Sequence, residues 1–137
     1  MSENKCRACL IFCMDYRLHE QLRNFIAEKN LDRDGVDVIR VVGAAKNLVR
    51  PNNPSEREFV LQQIQTSINL HGIREIYIIN HEDCGAYGLE NVADSEEEFA
   101  VYSDDLRAAR TMLKEEFPGV QVRSYFMWLN GQADLID

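Results

Sequence analysis

Two short segments carry the reactive side chains of this sequence: Cys13-Met14-Asp15-Tyr16-Arg17 and, much later, His81-Glu82-Asp83-Cys84-Gly85. Each follows an apolar run that reads as a buried strand. Together they offer two thiolates and one imidazole, the donor set of a zinc site with three protein ligands. Such a site keeps its fourth position open for water, which distinguishes catalytic from structural zinc. The His-x-x-Cys spacing lets His81 and Cys84 reach one ion from a single tight turn. Asp15 and Arg17 stand beside that ion. Asp15 is suited to accept a hydrogen bond from water on the metal, and Arg17 to hold the carboxylate in that pose and off the ion. Taken singly, each residue has a plainer reading: Cys13 an inert core thiol, His81 a turn residue, Asp15 with Arg17 a surface ion pair worth little. Their joint arrangement favours the metal.

The elements that must position them follow from hydrophobic pattern. Ala8 to Met14 is a nearly continuous apolar run, which suits a central parallel strand covered on both faces. Leu18, Leu22, Phe25 and Ile26 form a helical stripe between Leu18 and Asn30. Val36 to Val42 reads as a second strand, followed by Gly43 and a polar loop through Pro51-Asn52-Asn53-Pro54. Val60, Ile64 and Ile68 mark a helix from Ser55 to Leu70, which Gly72 would end in a left-handed cap. Ile73 to Asn80 is the third strand. Cys84-Gly85-Ala86 is expected to open a helical turn, whose N-terminus would lower a thiol pKa. Ser95-Glu96-Glu97-Glu98 resembles a capping box ahead of a long helix with its stripe on Phe99, Tyr102, Leu106, Ala109, Leu113 and Phe117. Pro118-Gly119 stops that helix. Val120 to Trp128 is the fourth strand, and Asn130-Gly131 turns the chain into a short antiparallel edge strand, Ala133 to Ile136. Strands alternating with helices predict an α/β fold, a mainly parallel sheet flanked by helices. In such sheets ligands gather beyond the carboxyl ends of the strands, which brings Cys13, His81 and Cys84 together if the first and third strands are neighbours.

The 137 residues favour a single domain, 1–137. A chain of this size buries about 68–70% of its unfolded surface, enough for a true core. The net charge of −8 argues against nucleic acid and anionic membrane as partners. No apolar run approaches the roughly 20 residues of a membrane helix, and the start does not resemble a signal peptide. Four cysteines in that setting are expected to be reduced thiols in the cytoplasm. Cys6-x-x-Cys9 is read as structural, because Cys9 falls inside a strand rather than at a helix start. His19 and His71 are weighed as proton shuttles and read as surface histidines. Glu96-Glu97-Glu98 is first-turn charge complementing a helix dipole. Tyr125, Phe126 and Trp128 are assigned to packing, and Tyr87, after the second motif, is a candidate pocket wall.

Cys-x-Asp-x-Arg followed by His-x-x-Cys-Gly resembles the β-class carbonic anhydrases. Val38-Ile39-Arg40 with Gly43 is similar to the family's second-strand motif, and the stretch from His71-Gly72-Ile73 to Ala86 to its third-strand region. The resemblance implies Zn2+ on Cys13, His81 and Cys84, with Asp15 and Arg17 as a catalytic dyad. It implies strand order 2-1-3-4 with an added edge strand, and a homodimer or dimer of dimers. The implied reaction is reversible hydration of carbon dioxide to bicarbonate by metal-hydroxide attack. Two thiolates cancel zinc's formal charge, so activity is expected to rise toward alkaline pH. Two features depart from the family. The first strand begins too early for its N-terminal helical arm, and Arg40-Val41-Val42-Gly43 stands where Arg-Asn-Ala-Gly is usual. Carbon disulfide or carbonyl sulfide hydrolysis on the same scaffold is the enzymatic rival. A non-catalytic zinc-binding homologue is the rival from another class.

Overall fold

A computed structural model describes residues 4–89 and 94–137. Strand β1 (Ala8–Phe12) is buried at every position. That follows from its place: β2 (Val36–Arg40) and β3 (Glu75–His81) pair with it in parallel on either side, Leu10 lying opposite Val38 and Tyr77. Strand β4 (Gln121–Met127) extends the parallel set beyond β3, and β5 (Ala133–Ile136) returns antiparallel along β4. The five strands run in the order β2-β1-β3-β4-β5, the order that the family resemblance implies.

Successive side chains of β1 go to opposite faces of the sheet. Cys9, Ile11 and, just past the strand, Cys13 join Ile76 and Ile78 in the larger core. This core is closed by α4 (Pro54–His71) through Val60 and Ile64, and by α5 (Ser95–Glu116) through Tyr102, Leu106, Ala109 and Leu113. Ala8, Leu10 and Phe12 meet Tyr77 and Ile79 on the other face, under Leu22 and Phe25 of α1 (His19–Glu28). A short turn of helix, α2 (Leu31–Asp34), leads from α1 into β2.

Several boundaries differ from expectation, each for a local reason. The apolar run of the first strand leaves the sheet at Phe12, so Cys13 stands free of the ladder. The third strand instead runs on to His81. Helix α5 is capped by Asp94, whose carboxylate accepts from the Glu97 backbone N–H at 2.8 Å, rather than by Ser95. The segment after Gly43 holds a short helix, α3 (Lys46–Val49), which the polar composition conceals. Its Ala45 N–H is tied to Asn80 Oδ1 at 3.1 Å, so a buried side chain of β3 supplies the signal that the local sequence lacks. Cys84 to Gly88 makes tight turns rather than a helix, with Tyr87 N–H donating to Cys84 O. Gly72 ends α4 with φ 59°, the left-handed cap expected there.

At the amino ends of the strands, one carboxylate gathers three partners. Glu75 accepts from Arg7 Nε at 2.6 Å, Arg123 Nε at 3.0 Å and the Tyr77 hydroxyl at 3.2 Å. Burial opposes its charge, but Arg7 and Arg123 hold its pKa below the ordinary carboxylate range. Glu75 is only 14% exposed, so removing its charge strands two guanidinium groups. Glu75→Gln should cost about 1–3 kcal/mol at neutral pH. A folded pKa below the unfolded value of about 4.3 means the stabilisation is complete above that value and lost as pH falls through the folded one. Urea melts of both proteins should therefore differ at pH 7 and converge toward pH 3; a constant difference would contradict the assignment.

Candidate functional site

The pairing of β1 with β3 delivers the predicted ligands to one point. Cys13 is the first residue past β1, His81 closes β3, and Cys84 lies in the turn that follows. All three are buried, and their donor atoms lie within 4.8 Å of one another. The two sulfurs are 3.9 Å apart. A disulfide would need about 2.05 Å. Two sulfurs each about 2.3 Å from a tetrahedral ion would stand about 3.8 Å apart. The His81 Nδ1–H donates to the Glu82 carbonyl at 2.7 Å, which leaves Nε2 as the nitrogen with a lone pair to offer. That Nε2 is buried and has no hydrogen-bond partner. An orphaned imidazole nitrogen beside two sulfurs at metal-ligand separation fits a zinc ion, whose preferred donors are thiolate and imidazole.

The electrostatics agree. The two sulfurs share one proton: the hydrogen bond from Cys84 holds Cys13 as a thiolate, down to about 4, and the same interaction pushes Cys84 up. Burial disfavours charge on His81, while the Cys13 sulfur and the Glu82 carbonyl favour it, and the balance lies above the ordinary value. The proton between the sulfurs occupies a place that a cation would take.

Asp15 and Arg17 come together beside these donors. Asp15 Oδ2 lies 3.8 Å from His81 Nε2 and accepts from Arg17 Nη2 at 2.7 Å. Asp15 also accepts from the Arg17 backbone N–H at 2.9 Å, capping the short 3-10 turn Tyr16–Leu18. The Arg17 guanidinium pulls the Asp15 pKa down to about 2. Arg17 is held from its far side as well: Nη1 donates to Asp83 Oδ2 at 3.0 Å and Nη2 to the Asp83 carbonyl at 2.9 Å. Asp83 reaches that position with φ 57°, a left-handed conformation that Asp tolerates better than most residues. Arg17 therefore clamps the Cys13 loop to the Cys84 turn.

Further residues support the constellation, in roles other than those read for them in the sequence. Arg40 donates through Nε to the Cys13 carbonyl at 2.8 Å and through Nη2 to the Asp15 carbonyl at 3.1 Å. Its Nη1 donates to His19 Nδ1 at 2.7 Å, so that nitrogen is an acceptor. Tyr102, fully buried on α5, accepts from the Cys84 N–H at 3.0 Å. Glu98 accepts from the Asp83 N–H. Asn80 links Ala45, Tyr87 and the Tyr102 carbonyl. Tyr87 donates to Asp105 at 2.8 Å, and burial pushes its phenol well up. The signal for Tyr102 was its place on the core stripe; its hydroxyl needed a partner once buried. His71 lies in a different cluster, with Cys6 and Asp37.

A family model described as putative carbonic anhydrase matches residues 3–137. An uncharacterized protein of Rickettsia conorii is 29% identical over 137 residues, spanning 97% of this chain and 73% of its own. Among solved structures, a carbonic anhydrase from Glaciozyma antarctica superposes with a TM-score of 0.63 at 21% identity, covering 96% of this chain and 82% of that one. One of two tetrameric β-carbonic anhydrases from Sordaria macrospora gives a TM-score of 0.66 at 15% identity, covering 97% and 81%. The fold is that of the β-carbonic anhydrases.

Tyr102→Phe removes the acceptor of the Cys84 N–H while keeping the ring. Loss of such an outer partner typically costs about 10–100-fold in metal affinity. Zinc affinity measured against a chromophoric chelator should fall by that range with the far-ultraviolet spectrum unchanged. Unchanged affinity would reduce Tyr102 to packing.

Proposed function

The chain belongs to this carbonic anhydrase family, and from that premise we propose that it hydrates carbon dioxide reversibly to bicarbonate, with zinc held by Cys13, His81 and Cys84. The observation that carries the proposal is the convergence of these three buried donors with an ionised Asp15 clamped by Arg17. Zinc in that site supplies a Lewis acid that makes hydroxide available from water, less readily with two thiolate ligands than with three imidazoles.

The chain's own residues supply orientation. Asp15, held at a pKa of about 2, is ionised at every working pH and can only accept. With zinc held by Cys13, His81 and Cys84, Asp15 would accept the O–H of the water-derived nucleophile and so turn an oxygen lone pair toward carbon dioxide, and the proton lost from water would pass to solvent. Arg17 spends its donors on Asp15 and Asp83, which keeps the Asp15 carboxylate turned away from the cation. Arg40 fixes the backbone from Cys13 to Asp15 against the end of β2.

Near the Cys13 loop, Met14 is 60% and Tyr16 79% exposed, and Val42 beyond β2 is 48% exposed. Apolar side chains around a site for an apolar substrate favour cover by a second copy, as a homodimer or dimer of dimers. Light scattering should give at least twice the 15.8 kDa of one chain at micromolar concentration; a monomer there would sink this part of the proposal.

Purified protein should hold tightly bound zinc, and Cys84→Ser should lose it, because a hydroxyl is a poor ligand at neutral pH. Elemental analysis with a stopped-flow hydration assay decides the matter. Wild-type protein that neither contains zinc nor takes it up would overturn the ligand assignment.

Asp15→Asn replaces a permanent acceptor with a neutral amide that no longer pairs with Arg17. Zinc should remain, and the hydration rate should fall by about 10–100-fold. The wild-type rate should climb from pH 7 to 9, since hydroxide must form first. A flat profile would contradict the role of hydroxide, and an Asp15→Asn variant at full rate would contradict the role of the carboxylate.

A further inference from the structure

Among the described residues a second group of mixed donors converges, at the opposite end of the sheet. Cys6 stands just before β1, Asp37 is the second residue of β2, and His71 is the last residue of α4. The donor atoms of the three lie within 4.8 Å of one another. The carbonate chemistry proposed above uses none of them.

The three side chains are brought together by backbone that cannot easily part. The Cys6 N–H donates to the His71 carbonyl at 3.0 Å, and Arg7 N–H donates to the Gly35 carbonyl at 3.0 Å next to β2. A Cβ on Gly35 would lie 2.6 Å from the Cys6 Cβ, so this close approach requires glycine there. Asp37 is oriented from two sides: Oδ2 accepts from Ser67 Oγ at 2.6 Å and from His71 Nδ1 at 2.6 Å. The side chains of Asp37 and His71 remain one-third exposed. Beside them a cavity of about 270 Å³ is lined by Asp37, Ser67, Leu70 and His71 among others, so an ion has a route in.

Two other readings fit less well. Burial and the facing Asp37 carboxylate push the Cys6 thiol above its ordinary range, so it is not an activated nucleophile. Cys9, fully buried, is raised by burial to about 12, which suits an inert core thiol. A plain aspartate–histidine pair does not account for the third donor, Cys6, converging on the other two.

We propose that Cys6, Asp37 and His71 form a second binding site for a divalent transition cation, zinc in the first instance. One thiolate, one imidazole and one carboxylate are each accepted zinc ligands, and together their two negative charges balance the ion. Ser67 is the outer partner that orients the carboxylate. The ion displaces the proton now between Asp37 and His71 and the proton of the Cys6 thiol, both of which pass to solvent. Two light donors on a tetrahedral zinc stand about 3.3 Å apart, so the 2.6 Å pair must open slightly when the ion enters. The bound ion joins the segment before β1, the edge strand β2 and the end of α4, and by mass action this raises the thermal stability of the chain as the logarithm of the free ion concentration once the site is filled.

Titration of the metal-free chain with cobalt(II), followed by thiolate-to-cobalt charge-transfer absorption and by equilibrium dialysis, tests the site. Wild type should bind two equivalents. Cys6→Ser and His71→Ala should each bind one, and Cys84→Ser should also bind one, with the absorption of a single thiolate ligand. Cys6→Ser should keep the wild-type hydration rate, because its loss is at the far end of the sheet. Retention of two equivalents by both Cys6→Ser and His71→Ala would overturn the proposal, as would a wild type that saturates at one. Circular dichroism identifies a variant that fails to fold, and the remaining variant then decides. Loss of the first site alone would leave the cobalt bound at Cys6 intact, so failure of the carbonic anhydrase reading and failure of this one are separable.

Discussion

The parallel pairing of β1 with β3 is the constraint on which the site depends. Parallel strands end on the same side of a sheet, so whatever follows each of them is delivered to one place. Ile11 of β1 lies opposite Ile78 of β3. Two residues on from the first is Cys13, and three on from the second is His81. A slip of one residue would turn Cys13 to the other face and part the donors. Register is in turn fixed by burial, since β1 has both faces covered and neither can be exchanged for solvent. The Glu75 network at the other end of the same strands holds Arg7, Tyr77 and Arg123 and so secures that register across β1, β3 and β4.

The second requirement is electrostatic. Two sulfurs, an imidazole and a carboxylate within a few ångströms would repel one another if all carried the charge that chemistry needs. The fold divides the task. Arg17 takes the carboxylate charge through a paired contact and is anchored on Asp83, so Asp15 stays ionised at a fixed angle. The sulfurs are left with one proton between them, and the imidazole with an unsatisfied nitrogen. This is a site in which positive charge is already called for before any ion arrives.

The sheet was legible in the sequence because apolar runs and turn residues are local signals. The mainly parallel sheet and the antiparallel edge follow from alternating elements and the Asn130-Gly131 turn, while the order β2-β1-β3-β4-β5 is implied by the family resemblance. The three donors and the Asp15–Arg17 pair were legible from spacing, and the structure brings them together. Their supports were not. Tyr102 lies 18 residues beyond Cys84 and meets it only because α5 packs back across the sheet. Asp83, Glu98, Asn80 and Arg40 act by contacts between elements, which no short window of sequence contains. Helix α3 escaped notice for the same reason: its start is tied down by Asn80 from β3. The Cys6-x-x-Cys9 spacing reads as structural because Cys9 falls inside a strand. In the fold they diverge, Cys9 into the core and Cys6 toward Asp37 and His71.

The two donor clusters differ in how far each is prepared for an ion, and the difference predicts their order of filling. At Cys13, His81 and Cys84 the sulfurs already stand 3.9 Å apart, and the imidazole nitrogen has nothing else to bind. An ion entering there breaks no hydrogen bond of His81 Nε2 and moves the sulfurs little. At Cys6, Asp37 and His71 the carboxylate and imidazole satisfy each other at 2.6 Å, and the ion must replace that bond. The site is more open to water, which lowers the cost of leaving it empty. Preorganisation thus favours the buried cluster, and the cluster at the amino ends of the strands fills second, as a supplement to stability rather than a condition of the chemistry.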